Sequence, residues 1–189
     1  MRAGLQARLG QDAEVFAVGS AGTRGLVGLP IEPLAAEVLT GQGITTEGFR
    51  ARRLEPGLLA DVDLVLGASR EHRSAAVAMA PRVLRRAFTL REFARIVSGW
   101  DSGDVWPAEP QRRARAVVDR AAGGRMQARA ADPVDDDIAD PMGRDAVAFA
   151  QAGAVIGEAV TAVLDALIGR EFPTPATGVP VTASERVGR

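Results

Sequence analysis

The chain has 189 residues, of which 47% are hydrophobic and 25% charged, and its 23 basic and 24 acidic side chains leave a formal net charge of −1. These values are typical of one soluble globular domain, and they argue against nucleic acid as the main partner, because binding phosphates needs a basic surplus. The sequence has no cysteine, which excludes a disulfide scaffold, a thiol nucleophile and a cysteine-ligated metal.

Four elements are predicted in the first part of the chain. Residues 1–9 have a helical composition and Gly10 ends them, whereas the apolar run Val15–Val18 between turn signals predicts a buried strand. A helix is predicted for Glu32–Leu39, which has a proline in its first turn, and the apolar run Val62–Leu66 predicts a second strand.

The middle of the chain predicts three helices and one strand. Ser69 can cap a helix that ends before Pro81, and Val83–Phe88 can form a third strand. The sequence Thr89-Leu90-Arg91-Glu92 has the spacing of a capping box and predicts that a helix follows, and Glu109–Ala122 has the composition of another helix.

The C-terminal part contains an acidic loop, the longest predicted helix and a tail. Residues 132–143 are acidic and contain proline, and a helix with an apolar stripe begins near Asp145. After Gly169 the chain holds three prolines and few large apolar residues, which predicts a disordered tail. The predicted boundaries are 1–170 for one folded domain and 171–189 for the tail.

Strands separated by helices predict parallel pairing, and hence a three-layer α/β/α sandwich with a short parallel sheet. The functional crevice of such a sheet lies beyond the carboxyl ends of its strands, where we expect Ser20–Thr23, Gly67–Arg70 and the acidic loop. No uninterrupted apolar run approaches the roughly 18 residues that span a bilayer, and the N-terminus has no secretory signal pattern. We therefore expect a cytoplasmic protein without a membrane segment.

Each polar candidate has a functional and a structural interpretation. The clustered acids of the loop could bind a divalent metal, but their spacing fits no calcium-binding loop, so a solvated loop is favoured and no metal site is predicted. His72, the only histidine, is expected to be a surface or capping residue rather than a ligand or a base. Ser20–Thr23 is expected to satisfy turn geometry rather than to contact a ligand. The acids concerned are Asp132, Asp135, Asp136, Asp137 and Asp140.

The arginines and tryptophans leave alternatives open. Arg52 and Arg53 could attract phosphorylated partners or could be ordinary surface residues. Trp100 and Trp106 could cap a substrate cleft or anchor a long loop. One predicted helix carries a group of arginines that could bind a phosphoprotein or nucleic acid, although a solvated face is the default; these are Arg112, Arg113, Arg115 and Arg120.

Several short motifs follow one another along residues 1–169. They are Phe16-x-Val18-x-Ser20-Ala21-Gly22-Thr23, Gly43-Ile44, Phe49-x-Ala51-Arg52-x-Leu54, Ala60-Asp61-x-Asp63-Leu64-Val65-Leu66, Glu71-His72, Phe88-Thr89-Leu90-Arg91-Glu92-Phe93 and Asp137-Ile138-x-Asp140-Pro141-x-Gly143. In this order they resemble the low-molecular-weight protein tyrosine phosphatases, especially their actinobacterial branch.

The resemblance implies a fold and a chemistry. The family has a parallel sheet of strand order 2-1-3-4 and hydrolyses phosphotyrosine proteins, without a cofactor, through a cysteinyl-phosphate formed on a Cys-x5-Arg loop. Asp140 corresponds to the general acid of the family and Pro141 to the proline that follows it. Met142 stands where the family often has an aromatic residue. The implied partner is a phosphotyrosine-bearing protein.

Neither the family's cysteine nor its arginine has a counterpart in this chain. The first strand and the phosphate loop are expected to precede Met1, so we expect an N-terminally truncated, catalytically incompetent form whose sheet lacks its central strand. A non-catalytic pseudophosphatase that binds a protein partner is the alternative. Arsenate reductase, which shares the scaffold, is the least expected function because its chemistry relays thiols.

Overall fold

The computed structural model describes most of the chain, and the helices it contains follow the predicted order. The described residues are 1–24, 26–100 and 105–169. The predicted tail at 171–189 lies outside them. The helices of the described residues are α1 Arg2–Leu9, α2 Pro33–Gly41, α3 Arg70–Met79, α4 Leu90–Ser98, α5 Pro110–Gly124 and α6 Ala146–Ile168.

Local signals explain where the helices begin. Ser69 caps α3, because its Oγ accepts a hydrogen bond from the His72 N–H at 3.3 Å. The predicted capping box of α4 is present, since the Glu92 N–H donates to Thr89 Oγ1 at 3.0 Å and the Thr89 N–H donates to Glu92 Oε2 at 3.2 Å. Asp145 caps α6 through its Oδ1. These three helix starts are confirmed.

Two short parallel strands form the sheet. Strand β1 is Val65–Gly67 and strand β2 is Ala87–Thr89, and Leu66 lies opposite Phe88 in their register. The α/β class with a short parallel sheet is confirmed. Strand β1 pairs only with β2 among the described residues, so its second edge has no strand partner there.

The sheet separates two apolar cores. On one side, Phe88 packs into the larger core together with buried residues of α1, α4, α5 and α6. On the other side, Ala87 packs into a smaller core with Ala76 of α3, Leu59 and Val83. Consecutive strand residues point to opposite faces of a sheet, so helices cover both faces and the architecture has three layers.

The prediction of a strand at Val15–Val18 is wrong. Residues Gly10–Val15 form a 3-10 helix, and the extended residues that follow join no sheet in the described part of the chain. The Val15 carbonyl instead accepts a hydrogen bond from Gln111 Nε2 at 3.1 Å. Phe16 and Val18 still pack against the larger core, because burial needs no strand partner whereas a ladder does.

The other two predicted strands are shorter and lie further along the chain than expected. The run Val62–Leu66 contributes only its end to β1. Residues Pro81–Arg86 form a 3-10 helix that takes up most of the predicted strand Val83–Phe88. Proline suits a first helical turn because it lacks an N–H donor that would be left unpaired there. Pro81 therefore favours the 3-10 helix, and the strand begins only at Ala87.

Helix α6 is, within the described residues, the one helix long and apolar enough to cross a membrane by length and composition. The sequence prediction that no segment could span a membrane was based on uninterrupted apolar runs, which Gln151 and Glu158 break here. That prediction is corrected for α6. A core helix passes the same test, and α6 packs against α1, α2, α4 and α5. Its buried large apolar side chains are Phe149, Val163, Leu164, Leu167 and Ile168.

Candidate active site

The acidic loop lies against the carboxyl end of β1, where the crevice was predicted. The Ile138 N–H donates a hydrogen bond to the Ala68 carbonyl at 2.9 Å. Ala68 directly follows β1 and Ser69 begins α3. The structure therefore brings the acidic loop together with Gly67–Arg70, as expected.

Arg70 and Asp137 form a forked ion pair that holds this loop on α3. Arg70 Nη2 lies 2.8 Å and Nε 3.1 Å from Asp137 Oδ2, and the backbone N–H of Arg70 donates to Asp137 Oδ1 at 2.7 Å. The side-chain hydrogen bonds from Arg70 lower the pKa of Asp137 below its ordinary value, although partial burial acts in the opposite direction. Asp137 is therefore held as a carboxylate.

Two more arginines bind the same loop, which corrects the prediction that the acidic run is simply solvated. Arg95 Nη2 lies 2.6 Å from Asp136 Oδ1, and Arg91 Nη1 donates to the Asp137 carbonyl at 3.2 Å. Asp135 is exposed, as predicted. No group of three or more possible metal-ligating side chains occurs in the described residues.

The segment Ser20–Thr23 runs beside residues 52–54. Its Gly22 N–H donates to the Arg52 carbonyl at 2.9 Å and its Ser20 carbonyl accepts from Arg52 Nε at 2.6 Å. These bonds use backbone groups of the segment, which favours the predicted structural role. They also engage the Arg52 side chain within the fold, although Arg52 and Arg53 are both exposed.

A salt bridge joins that segment to the first turn of α3. Arg24 Nη2 lies 2.9 Å from Glu71 Oε1, and both side chains are largely exposed. Because Arg70 also holds the acidic loop, the first turn of α3 contacts both that loop and Arg24, the residue that follows Ser20–Thr23. Exposed ion pairs contribute little stability, so this contact positions the segment more than it stabilises the fold.

Ser69 and His72 make a contact that the sequence interpretation missed. Ser69 Oγ lies 2.8 Å from His72 Nδ1, in addition to capping the helix. The two residues occupy the cap position and the third helical position of α3, the same spacing as in a capping box, and that spacing was the available signal. His72 is exposed, in agreement with its predicted surface or capping role.

The two tryptophans anchor a connection onto the larger core, as one of the two alternatives stated. Their rings stack with centroids 5.4 Å apart, and both pack on the larger core. The Arg120 guanidinium lies 4.6 Å from the Trp100 centroid and 5.3 Å from that of Trp106. This is a cation–π arrangement within the fold, and it favours the anchoring alternative.

The other arginines of α5 are likewise engaged inside the molecule. Arg113 Nε donates to the Ala166 carbonyl at 3.0 Å, and Arg115 Nε lies 3.1 Å from Asp63 Oδ1. Arg112 pairs with Glu109 one turn earlier on the same helix. The arginines of the suggested basic face are thus engaged in intramolecular contacts, which favours the interpretation as an ordinary helix face.

Comparison with known families identifies the scaffold. The family model described as low molecular weight phosphotyrosine protein phosphatase matches residues 3–120 of the chain. The chain belongs to this family. The matched residues include Ser20–Thr23 and the first turn of α3, and they end before the acidic loop.

Curated members of the phosphatase family match part of the chain. The low molecular weight protein-tyrosine-phosphatase Etp of Escherichia coli strain K12 is 38% identical over 66 residues, which cover 35% of this chain and 45% of Etp. Etp of Escherichia coli O157:H7 gives the same values. The chain thus spans about half the length of the curated relatives it matches.

Solved phosphatase structures share the fold over most of the chain. The tyrosine phosphatase AmsI of Erwinia amylovora has a TM-score of 0.56 at 19% identity, covering 88% of this chain and 85% of AmsI. YwlE arginine phosphatase of Geobacillus stearothermophilus has a TM-score of 0.55 at 21% identity, covering 87% and 83%. Wzb of Vibrio vulnificus, solved with benzylphosphonate, has a TM-score of 0.53 at 22% identity, covering 85% and 87%.

Asp140, the residue predicted to correspond to the family's general acid, lies in the acidic loop. The residue is exposed, and its Oδ1 accepts a hydrogen bond from the Met142 N–H at 3.0 Å, which closes a short turn around Pro141. Gly143 completes the turn with a φ of +75°, which favours glycine. Because the family match ends at residue 120, the role of Asp140 stays a prediction.

Proposed function

We propose that this protein is a phosphotyrosine-protein phosphatase by descent whose 189-residue chain does not itself hydrolyse phosphomonoesters. The observation that carries the proposal is the absence of cysteine from the whole sequence. The chemistry implied by the family resemblance depends on a thiolate that attacks phosphorus. A general acid at Asp140 can protonate a leaving group, but it cannot replace the nucleophile.

The pair formed by Ser69 and His72 is the nearest arrangement to another nucleophile and base. Ser69 Oγ lies 2.8 Å from His72 Nδ1, but the same oxygen also accepts the His72 N–H as the helix cap. Both residues lie in one turn of α3, and a nucleophile is activated by a base that a third group orients. Within the described residues, no hydrogen bond orients the second ring nitrogen of His72, so this pair supports a capping role.

The test is a phosphatase assay on the purified chain with a phosphotyrosine peptide and with an aryl phosphate. We expect no release of phosphate above buffer, and the same result for Asp140→Ala. Circular dichroism of both proteins establishes that each is folded. Equal activity in the wild type and in Asp140→Ala would indicate a contaminating phosphatase, because a substitution in this chain cannot change the activity of another enzyme.

Phosphatase activity that Asp140→Ala abolishes would overturn the proposal. Such a result requires another nucleophile, and Ser69→Ala would then identify whether the serine beside His72 supplies it. The expectation that an upstream segment carries the Cys-x5-Arg loop stays a separate prediction. The DNA sequence upstream of Met1 tests it directly, and an in-frame extension without that loop would contradict it.

Binding of a protein partner without catalysis is the second candidate function. It is favoured by an exposed apolar segment, in which Leu26, Val27 and Leu29 are 66%, 67% and 50% exposed. Exposed apolar patches mark interaction surfaces. We expect a cooperative thermal transition and saturable binding of a phosphotyrosine-bearing protein that Val27→Asp weakens. Val105→Asp is the matched control, because Val105 is 96% exposed elsewhere.

The proposed role requires no cofactor, metal or nucleic acid, and its proposed location is the cytoplasm. A molten, aggregating chain would contradict the partner-binding candidate, because a specific interface needs a defined surface. Equal loss of binding in Val27→Asp and Val105→Asp would contradict it as well. Neither result affects the phosphatase assay, so the two candidates are tested independently.

A further inference from the structure

Five arginines surround a cleft of about 240 Å³ beside β2. The cleft lies between the first turns of α3, the helix α4 and the residues that follow α5. Asp136 of the acidic loop lines one side of it, whereas Asp140 does not line it. The arginines are Arg70, Arg73, Arg95, Arg125 and Arg129, and they face only two carboxylates in the lining, those of Glu92 and Asp136.

Carboxylates pair with three of these arginines and leave two without a neutralising partner. Arg70 pairs with Asp137, Arg95 with Asp136 and Arg125 with Glu92. The unpaired cations are Arg73 and Arg129: among the described residues, Arg73 Nε donates only to the neutral carbonyl of Ala87, and Arg129 has no polar partner. The cleft therefore holds an excess of two positive charges.

The guanidinium groups of Arg73 and Arg125 are close together. Arg73 Nε and Arg125 Nη2 both donate to the Ala87 carbonyl, at 2.8 and 2.7 Å. Burial lowers the pKa of Arg125, Glu92 raises it and the charge of Arg73 lowers it further. Two like charges at this separation repel each other, and an anion between them would relieve that repulsion.

Buried donors in the cleft also lack acceptors. Arg95 Nη1 is buried and has no hydrogen-bond partner among the described residues. Arg125 Nε lies 3.0 Å from Glu92 Oε1, but the contact lacks hydrogen-bond geometry. A buried charged donor that is left unpaired is costly. Both atoms are shielded from solvent, so a nearby anion would stabilise them through charge rather than through a direct hydrogen bond.

We infer that this cleft binds a phosphoryl dianion, as inorganic phosphate or as a phosphate monoester, through Arg73 and Arg129. A phosphoryl group matches the excess of two charges and offers three acceptor oxygens. Guanidinium forks suit these oxygens better than an ammonium group would. The cleft is several times the volume of about 30 Å³ that one water occupies, which is enough for a single phosphoryl group.

The cleft is formed without a Cys-x5-Arg sequence, which the chain does not contain. It needs no nucleophile, so it does not rest on the proposed function. Failure to bind phosphate would leave the phosphatase assay unaffected. A positive phosphatase assay would not decide whether the cleft binds phosphate. A separate titration measures that binding.

The test is calorimetric titration of the full chain with inorganic phosphate and, separately, with phenyl phosphate. We expect saturable binding of at least one ligand, which Arg129→Ala weakens about tenfold, the loss typical of one charge-assisted hydrogen bond. Phosphate bound alone assigns the site to the free anion, and phenyl phosphate bound as tightly assigns it to an esterified group. Arg129 has no polar partner in the described fold, so its loss does not endanger folding.

Arg82→Ala is the matched control, because Arg82 is exposed and does not line the cleft. It removes the same charge and should leave the affinity unchanged. Arg73→Lys keeps the charge but loses the fork, and we expect an affinity between those of the wild type and Arg129→Ala. No saturable binding of either ligand, or an equal loss in Arg82→Ala and Arg129→Ala, would overturn the inference.

Discussion

The carboxylate of Asp137 sits in the fork of the Arg70 guanidinium, with Nη2 and Nε at 2.8 and 3.1 Å from the same oxygen, Oδ2. Arg70 belongs to the first turn of α3, and Asp137 begins the stretch that carries Asp140. The pair therefore fixes the position of the predicted general-acid loop relative to the carboxyl end of the sheet. Its removal should affect the loop far more than the core.

Asp137→Asn tests this role of the ion pair. We expect the backbone amides of residues 138–143 to exchange with solvent several-fold faster, because the loop loses its charged anchor while α3 keeps its own cap. Hydrogen exchange followed by mass spectrometry measures this. Asp135→Asn is the matched control, because Asp135 is exposed and makes no ion pair in the described structure. Equal exchange in the two variants would contradict the prediction.

The loop should also loosen in acid. Arg70 lowers the pKa of Asp137, so the carboxylate contributes to order above the ordinary aspartate pKa of about 4, and that contribution is lost as the pH falls through the lowered pKa. A carbon-13 titration of the Asp137 carboxyl group should give a midpoint that rises in Arg70→Ala. An identical midpoint in the two proteins would show that Arg70 does not stabilise the charged form.

Thr89→Ala should weaken the start of α4. Thr89 is only 1% exposed and its hydroxyl accepts the Glu92 N–H at 3.0 Å. We expect the free energy of unfolding to fall by about 1–2 kcal/mol, measured by urea denaturation, because the alanine leaves a helix N–H unpaired. Thr89→Ser retains the hydroxyl and should be the more stable variant. If the serine variant is no more stable than the alanine variant, the cap does not account for the loss.

Gly67→Ala should be destabilising because of its surroundings. A Cβ added at Gly67 would lie 2.8 Å from the Arg73 N and 3.0 Å from the Ser69 carbonyl oxygen, both backbone atoms. We expect a loss of about 1–3 kcal/mol in the free energy of unfolding. In the control, Gly123→Ala, the new Cβ meets nothing within 4 Å in α5, and we expect no loss, since alanine favours helix. A neutral Gly67→Ala would refute the close approach.

The features that the sequence predicted best depend on neighbours within one turn. The caps at Ser69, Thr89 and Asp145 are all present, because a cap needs only its own residue and the amides of the next turn. The strand at Val15–Val18 was wrong for the opposite reason. A strand forms only where another segment offers hydrogen-bond partners to its backbone. The residues near Val15 in the sequence do not indicate whether such a segment is present.

The candidate site shows the same division. The meeting of the acidic loop with the start of α3 followed from the rule for parallel sheets. The individual partners did not, because Arg70 and Asp137 lie 67 positions apart and charge pairs at such separation leave no periodic signal. The arginine cleft was missed for this reason too: its arginines come from α3, α4 and the segment after α5, and each alone resembles an ordinary surface residue.

The stacked tryptophans have a spectroscopic consequence. The chain has two tryptophans and no tyrosine, and the two indoles lie together, with centroids 5.4 Å apart, under Arg120. All intrinsic fluorescence excited at the red edge of the aromatic band therefore originates from one patch on the larger core. The emission will therefore report how α5 packs on the larger core. The substitution Met142→Trp would add a second, separate fluorescence signal from the loop that carries Asp140.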